Sequence, residues 1–161
     1  MKEKISEQRL LVTLVKAVSL SGFVLASLDF RLGWSRHYFG SEPLWLKALS
    51  PALVLAGLLL MLWVFAVNSF ASRTIQVEAG QKVISSGPYR LVRHPMYLGS
   101  VVMWLSTPLA LGSYFALPVF ALLLPFYVFR LLNEEKVLRR DLPGYLEYCS
   151  ATHYRLVPLL W

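Results

Sequence analysis

Residues 52–67 read ALVLAGLLLMLWVFAV, an unbroken apolar run without a single charged side chain. A bilayer core about 30 Å thick asks for about 20 such residues in a helix, so this run and its flanks predict a membrane-spanning helix over about 51–70. Working outward, three more stretches have the same character. Leu10 to Leu28 is interrupted only by Lys16 and small polar residues, and Met96 to Leu111 is followed closely by Tyr114 to Phe129. They predict helices over about 10–28, 96–111 and 114–132, the last two forming a hairpin that turns at Gly112-Ser113. The first run is too long for the apolar part of a signal peptide and lacks a small-x-small cleavage site after it, so it is expected to be a helix of the mature protein.

Composition supports the same solvent. Hydrophobic residues make up 57% of the 161 against 16% charged, a balance that would coat a soluble domain of this size in apolar surface. The expected fold is therefore an all-α integral membrane bundle of about four transmembrane helices with a short C-terminal amphipathic helix, organised as one domain over 1–161. The net charge of +7 could suggest nucleic acid, but the basic residues lie between apolar runs and not in a stripe. Anionic lipid headgroups are the expected partner, and no nucleic acid is. Cys149 is the sole cysteine, which excludes an internal disulfide and a thiolate metal cluster and leaves it as inert packing.

Orientation follows from the basic residues. With a cytoplasmic N-terminus, the tail, the loop over 72–93 and the chain from Arg130 onward share one side and hold twelve of the sixteen Lys and Arg; the other side holds Arg31, Arg36 and Lys47. That asymmetry predicts both termini in the cytoplasm.

The polar chemistry gathers in two places. No glycines fall in G-x-G-x-x-G spacing, so a soluble dinucleotide-type fold is not expected. The loop before the third span ends in GPYRLVRHPMYLG, residues 87–99. Pro95 disfavours helix at His94 and suits a first helical turn, so it should open that span and set Arg93 and His94 at its N-terminus. Such a terminus favours an anion. The alternative is that Arg90 and Arg93 snorkel to headgroups while His94 caps the helix.

The second place is RLLNEEKVLRR, residues 130–140. At about 100° per residue, Glu134 falls between Val137 and Leu138 on an arc that also holds Arg130 and Leu131, while Glu135 falls beside Arg139 toward solvent. Arg130 and Glu134 are thus expected to face the bundle, as a functional pair or as an ordinary i,i+4 ion pair at the membrane surface. Asp141-Leu142-Pro143-Gly144 should break the helix, and Tyr145, Leu146 and Tyr148 should start an amphipathic helix with interfacial tyrosines.

Taken in order, GPYRLVRHPMYLG, R-x-x-x-E-E-x-x-L, P-G-Y-x-x-Y and a terminal R-L-V-P resemble the isoprenylcysteine carboxyl methyltransferase family, and phospholipid methyltransferases share much of the pattern. The resemblance covers about Gln76 to Pro158 and leaves the first two helices matched only in hydrophobicity. It implies an S-adenosylmethionine-dependent membrane methyltransferase, with S-adenosylhomocysteine as product and no metal. Its cofactor-binding positions fall on Gln76, on Gln81, Lys82, Val83 and Ile84, on Tyr89, on His94, Pro95, Met96 and Tyr97, and on Glu134. The family's arginine for the acceptor carboxylate falls on Arg130. Arg130 and Glu134 are therefore the expected catalytic pair, with cytosolic cofactor elements over 73–95 and 130–158.

Methyl transfer from a sulfonium needs placement more than a metal or a covalent nucleophile. An isoprenylcysteine-type carboxylate, an aminophospholipid amine and a small thiol are the acceptors in view, the first favoured by an arginine beside the methyl path. The non-enzyme alternative is a membrane scaffold or transporter subunit, although transporters place ionisable residues nearer the bilayer centre.

Overall fold

A computed structural model describes residues 2–70, 77 and 80–161, with side chains from residue 11 onward. Seven α-helices and no strand occur among the described residues: α1 (Lys2–Leu32), α2 (Trp34–Phe39), α3 (Leu44–Val67), α4 (Pro95–Ala110), α5 (Leu117–Ala121), α6 (Leu123–Asp141) and α7 (Tyr145–Ala151). Among the described residues, three segments are long and apolar enough to cross a membrane, Leu11–Leu32, Leu44–Val67 and Leu117–Asp141. The protein is an all-α integral membrane protein. Helix α4, expected as the third of four spans, has 16 residues. At about 1.5 Å per residue it covers about 24 Å, short of the bilayer core.

Helix α1 runs beyond the expected 10–28 at both ends, over Lys2–Leu32, and two further helices also differ from the expected ones. Helix α3 starts at Leu44 and continues through Pro51, which lies inside it; an interior proline removes one backbone bond of the helix, and the neighbouring Ser50 hydroxyl bonds the Leu46 carbonyl. The expected fourth helix is two pieces, broken at Leu122. Pro125 lies in the first turn of α6, where its missing N–H leaves no bond unmade. The turn at Gly112-Ser113 forms as expected. Gly112 takes φ 73°, and the Ser113 N–H bonds the Pro108 carbonyl at 2.9 Å, the left-handed glycine cap that closes a helix.

The chain resolves into two compact units, each built from two separated stretches. The first comprises Met1–Ala56 and Val101–Phe126. Phe120 is fully buried there, stacked on Trp104 and met edge-on by Phe23 at 5.3 Å between centroids. Gly22 makes that approach possible, since a Cβ at Gly22 would lie 2.8 Å from the Phe120 ring. At the end of α1, buried Asp29 accepts the Ser35 N–H at 2.7 Å, the Ser35 hydroxyl at 2.5 Å and the Ser113 hydroxyl at 2.5 Å. The two serine oxygens in turn accept the N–H groups of Tyr114 and Ala116.

The second unit comprises Gly57–Ser100 and Tyr127–Trp161. Gly99 of α4 packs against the Gly57 carbonyl so closely that a Cβ would meet it at 2.8 Å. Residues 87–90 form a 3₁₀ turn leading to Pro95, which opens α4 as expected. The C-terminal segment runs beside that loop: the Arg93 and His94 N–H groups donate to the Tyr154 and Arg155 carbonyls, both at 2.9 Å. Asp141 ends α6, and Gly144, at φ 82°, starts α7.

Candidate functional site

The candidate residues of the second unit surround one open cleft. It is lined by residues 81–84, Tyr89, residues 94–97 and Glu134. Every cofactor position implied by the resemblance therefore reaches it except Gln76, which lies outside the described residues. Arg130 stands behind the lining: its Nε donates to the Tyr97 hydroxyl at 3.0 Å, and that hydroxyl donates to Glu134 Oε2 at 2.5 Å. Arg130 and Glu134 are thus joined through a tyrosine that comes from the first turn of α4, more than a simple i,i+4 pair would give.

Glu134 faces the cleft, as its helical phase predicts. Glu135 does not face solvent, and here the expectation is corrected. It is 3% exposed and its carboxylate holds three arginines: Arg93 at 2.9 Å, Arg139 at 3.1 Å and Arg155 at 2.6 Å. Helical phase reads one helix against one apolar neighbour. The polar side of α6 is covered by the loop before α4 and by the C-terminal segment, whose arginines neutralise the buried charge.

The same arrangement corrects the reading of Arg93 as a headgroup anchor. Its side chain is buried against Glu135 and the Thr152 carbonyl, while Arg90 is exposed. With Arg93 engaged, the anion-binding capacity at the start of α4 rests on the N–H groups of Met96 and Tyr97, which precede the first helical bond, Leu98 N–H to the His94 carbonyl.

Burial pushes His94 down to about 4; Glu135 works in the opposite direction, and Arg93 and Arg155 add to the depression. The imidazole is therefore neutral at physiological pH. Its Nε2 is buried and has no hydrogen-bond partner among the described residues. Tyr89 is fixed at both ends, its hydroxyl accepting from Asn68 Nδ2 at 2.6 Å and its carbonyl accepting from the Tyr148 hydroxyl at 2.7 Å. Burial pushes its phenol above the ordinary range.

Sequence reasoning missed part of the lining. Asn68 is the first polar residue after the apolar run 52–67, a signal that could have marked it. Tyr145 and Tyr148, whose spacing suits an interfacial belt, are instead buried in the cleft wall with Leu142. Nothing in spacing alone separates a wall tyrosine from a belt tyrosine on so short a helix. Among the described residues, no group of three His, Cys, Asp or Glu could hold a metal ion.

Comparison with known proteins bears on the same region. A family model described as phospholipid methyltransferase matches residues 45–142, more than half of the chain. A Delta(14)-sterol reductase of Mus musculus, TM7SF2, is 33% identical over 94 residues, covering 55% of this chain and 22% of the reductase. The chain thus spans about a fifth of the length of that relative.

Proposed function

The chain belongs to the phospholipid methyltransferase family, and from that premise we propose that it is an S-adenosylmethionine-dependent methyltransferase acting on a lipid-like acceptor. The finer assignment is O-methylation of an isoprenylcysteine-type carboxylate. The observation that carries the reading is the Arg130–Tyr97–Glu134 chain at the edge of a cleft lined also by His94, whose buried Nε2 has no hydrogen-bond partner among the described residues. A cationic, hydrogen-bond-rich small molecule fits those residues.

When bound, S-adenosylmethionine supplies a methyl carbon already activated by the sulfonium. The chain's own part is placement and charge. Glu134, oriented by the Tyr97 hydroxyl, sets a negative charge against the cationic part of the cofactor. The Met96 and Tyr97 N–H groups at the start of α4 suit its carboxylate, and Gln81 to Ile84 with Tyr89 close the side of the cleft. Arg130, aligned by its bond to Tyr97, is the cation assigned to the acceptor carboxylate, which a guanidinium grips with paired hydrogen bonds. Basic-residue asymmetry supports a cytoplasmic side for this machinery and both termini, with the acceptor's apolar tail arriving from the bilayer.

A carboxylate attacks without losing a proton, whereas an amine must first be deprotonated. The candidates for that base are Glu134 and His94, both in the cleft lining, and His94, held to about 4, is a weak one. Methylation of an aminophospholipid is the second reading, supported by the family description itself; a small thiol is a third acceptor. The likeness to a sterol reductase raises a reductive reading, but nicotinamide hydride donors carry phosphates, and Glu134 in the cleft opposes them.

The test is to incubate membranes containing the protein with S-adenosylmethionine labelled in its methyl group, then extract and treat the product with alkali. Label released as volatile methanol is expected of a methyl ester. Alkali-stable label in a lipid overturns the carboxylate assignment in favour of N- or S-methylation. Absence of S-adenosylhomocysteine binding to the purified protein overturns the methyltransferase reading and leaves a scaffold or transporter subunit.

A further inference from the structure

The lining of the cleft falls into two chemically different groups. One is charged, with Glu134 tied to Tyr97 and Arg130. The other is a wall of Leu142, Tyr145 and Tyr148, packed with Val83, Leu138 and Tyr89, all of which also line the cleft. This wall is largely apolar and aromatic, with the charge of Arg93, which also lines the cleft, acting on Tyr145. Tyr145 is 4% exposed, its ring packs against Tyr148 at 5.7 Å between centroids, and its hydroxyl is buried with no hydrogen-bond partner among the described residues. A buried hydroxyl without a partner is costly, by about 1–3 kcal/mol, and such groups in a cleft wall call for an explanation. Tyr148, beside it, has none of this cost, because its hydroxyl donates to the Tyr89 carbonyl.

We infer that the Tyr145 wall is the base-binding half of the site, receiving the adenine ring of the cofactor, with the Tyr145 hydroxyl bonding a polar atom on the edge of that ring. The inference rests on the methyltransferase reading above and goes beyond it by assigning a residue and a subsite. The chemistry of the ligand divides as the cleft divides. Adenine is its large planar, weakly polar group, which aromatic and aliphatic walls accept with one or two hydrogen bonds at the edge. The sulfonium and amino-acid portion is charged and belongs with Glu134. The Tyr145 phenol is pushed above its ordinary value by burial, so it stays protonated and available as donor or acceptor at any working pH.

The two groups can be titrated separately with the purified full chain. S-adenosylhomocysteine carries both the base and the amino-acid portion, whereas 5′-methylthioadenosine carries the base without the amino acid. Tyr145→Phe is expected to weaken both ligands alike, by about fivefold to tenfold, the size of one lost hydrogen bond. Because the substitution removes an unpartnered polar atom, the melting temperature of the free protein should hold or rise, which a merely structural role for the hydroxyl would not allow. Glu134→Gln is expected to weaken S-adenosylhomocysteine and to leave 5′-methylthioadenosine within twofold. A wild type that binds S-adenosylhomocysteine while Tyr145→Phe changes neither affinity, or changes only that ligand's, overturns the base assignment and leaves the methyltransferase reading standing. So does a wild type that binds S-adenosylhomocysteine but no 5′-methylthioadenosine. A wild type that binds neither ligand overturns both.

Discussion

Asp29 in the first unit and Glu134 in the second are both acidic side chains in helices of a membrane protein, and their surroundings differ in a way that separates structure from function. Asp29 is 1% exposed and meets three donors from Ser35 and Ser113, whose own oxygens are used in turn by backbone N–H groups. Every polar atom of that knot has a partner within it. Glu134 has Tyr97, and the lining of the same cleft includes His94 and Tyr145, whose buried Nε2 and hydroxyl have no hydrogen-bond partner among the described residues. A closed set of hydrogen bonds rigidifies the fold, while one left incomplete is poised for a ligand.

The contrast can be broken most forcefully at Arg130. If it serves the acceptor, Arg130→Ala should lower turnover by about a thousandfold, the upper range for removing one charged stabiliser, while S-adenosylhomocysteine affinity stays within threefold. A comparable collapse of cofactor affinity would move Arg130 from the acceptor to the cofactor. Next in size is the pair on α6. Glu135→Ala strands Arg93 and Arg155, so thermal or denaturant unfolding should show a loss of about 3 kcal/mol. Glu134→Gln should change stability little and weaken S-adenosylhomocysteine about thirtyfold, the value of a charge-assisted contact. Equal stability losses in the two variants would erase the distinction between the site carboxylate and the structural one. Smaller again is Asp29→Ala, which leaves the Ser35 and Ser113 donors without their acceptor. A loss of about 2 kcal/mol with cofactor affinity unchanged is expected, and a drop in that affinity would show that the knot is not merely structural.

What could be read in advance depended on how local the cause was. The apolar run 52–67, Pro95 at the start of α4, the Gly112 turn and the Gly144 break each act through a residue's own backbone or its immediate neighbours, and the structure has them where the sequence puts them. Glu134 was legible because its partner Tyr97 lies on the apolar side that helical phase can see. Glu135 was not, because phase carries no information about a C-terminal segment returning to cover the polar side of α6. Asp29 shows the same limit: its partners Ser35 and Ser113 come from two different turns, and no spacing announces the meeting. Tyr145 and Tyr148 fit an interfacial belt and a cleft wall equally well by pattern, and only the packing of Leu142, Val83 and Leu138 around them decides.

The finest of these effects belongs to His94, whose neutrality distinguishes the cleft from an ordinary cationic helix terminus. An unfolded histidine titrates near 6.5, whereas the folded one is held to about 4 by burial, against the pull of Glu135 and with the push of Arg93 and Arg155. Between those two values the unfolded chain binds the extra proton, so stability must fall as the pH falls through that window and be fully present above it. Taking the protein from pH 7 to pH 5.5 should therefore lower its unfolding free energy by about 1 kcal/mol through this residue. His94→Asn, which keeps a polar side chain but cannot titrate, should flatten that part of the profile while leaving the part due to other groups. An unchanged slope in the variant would mean that His94 carries a proton in the folded protein, and the start of α4 would then present a cation to its ligand in place of a neutral ring.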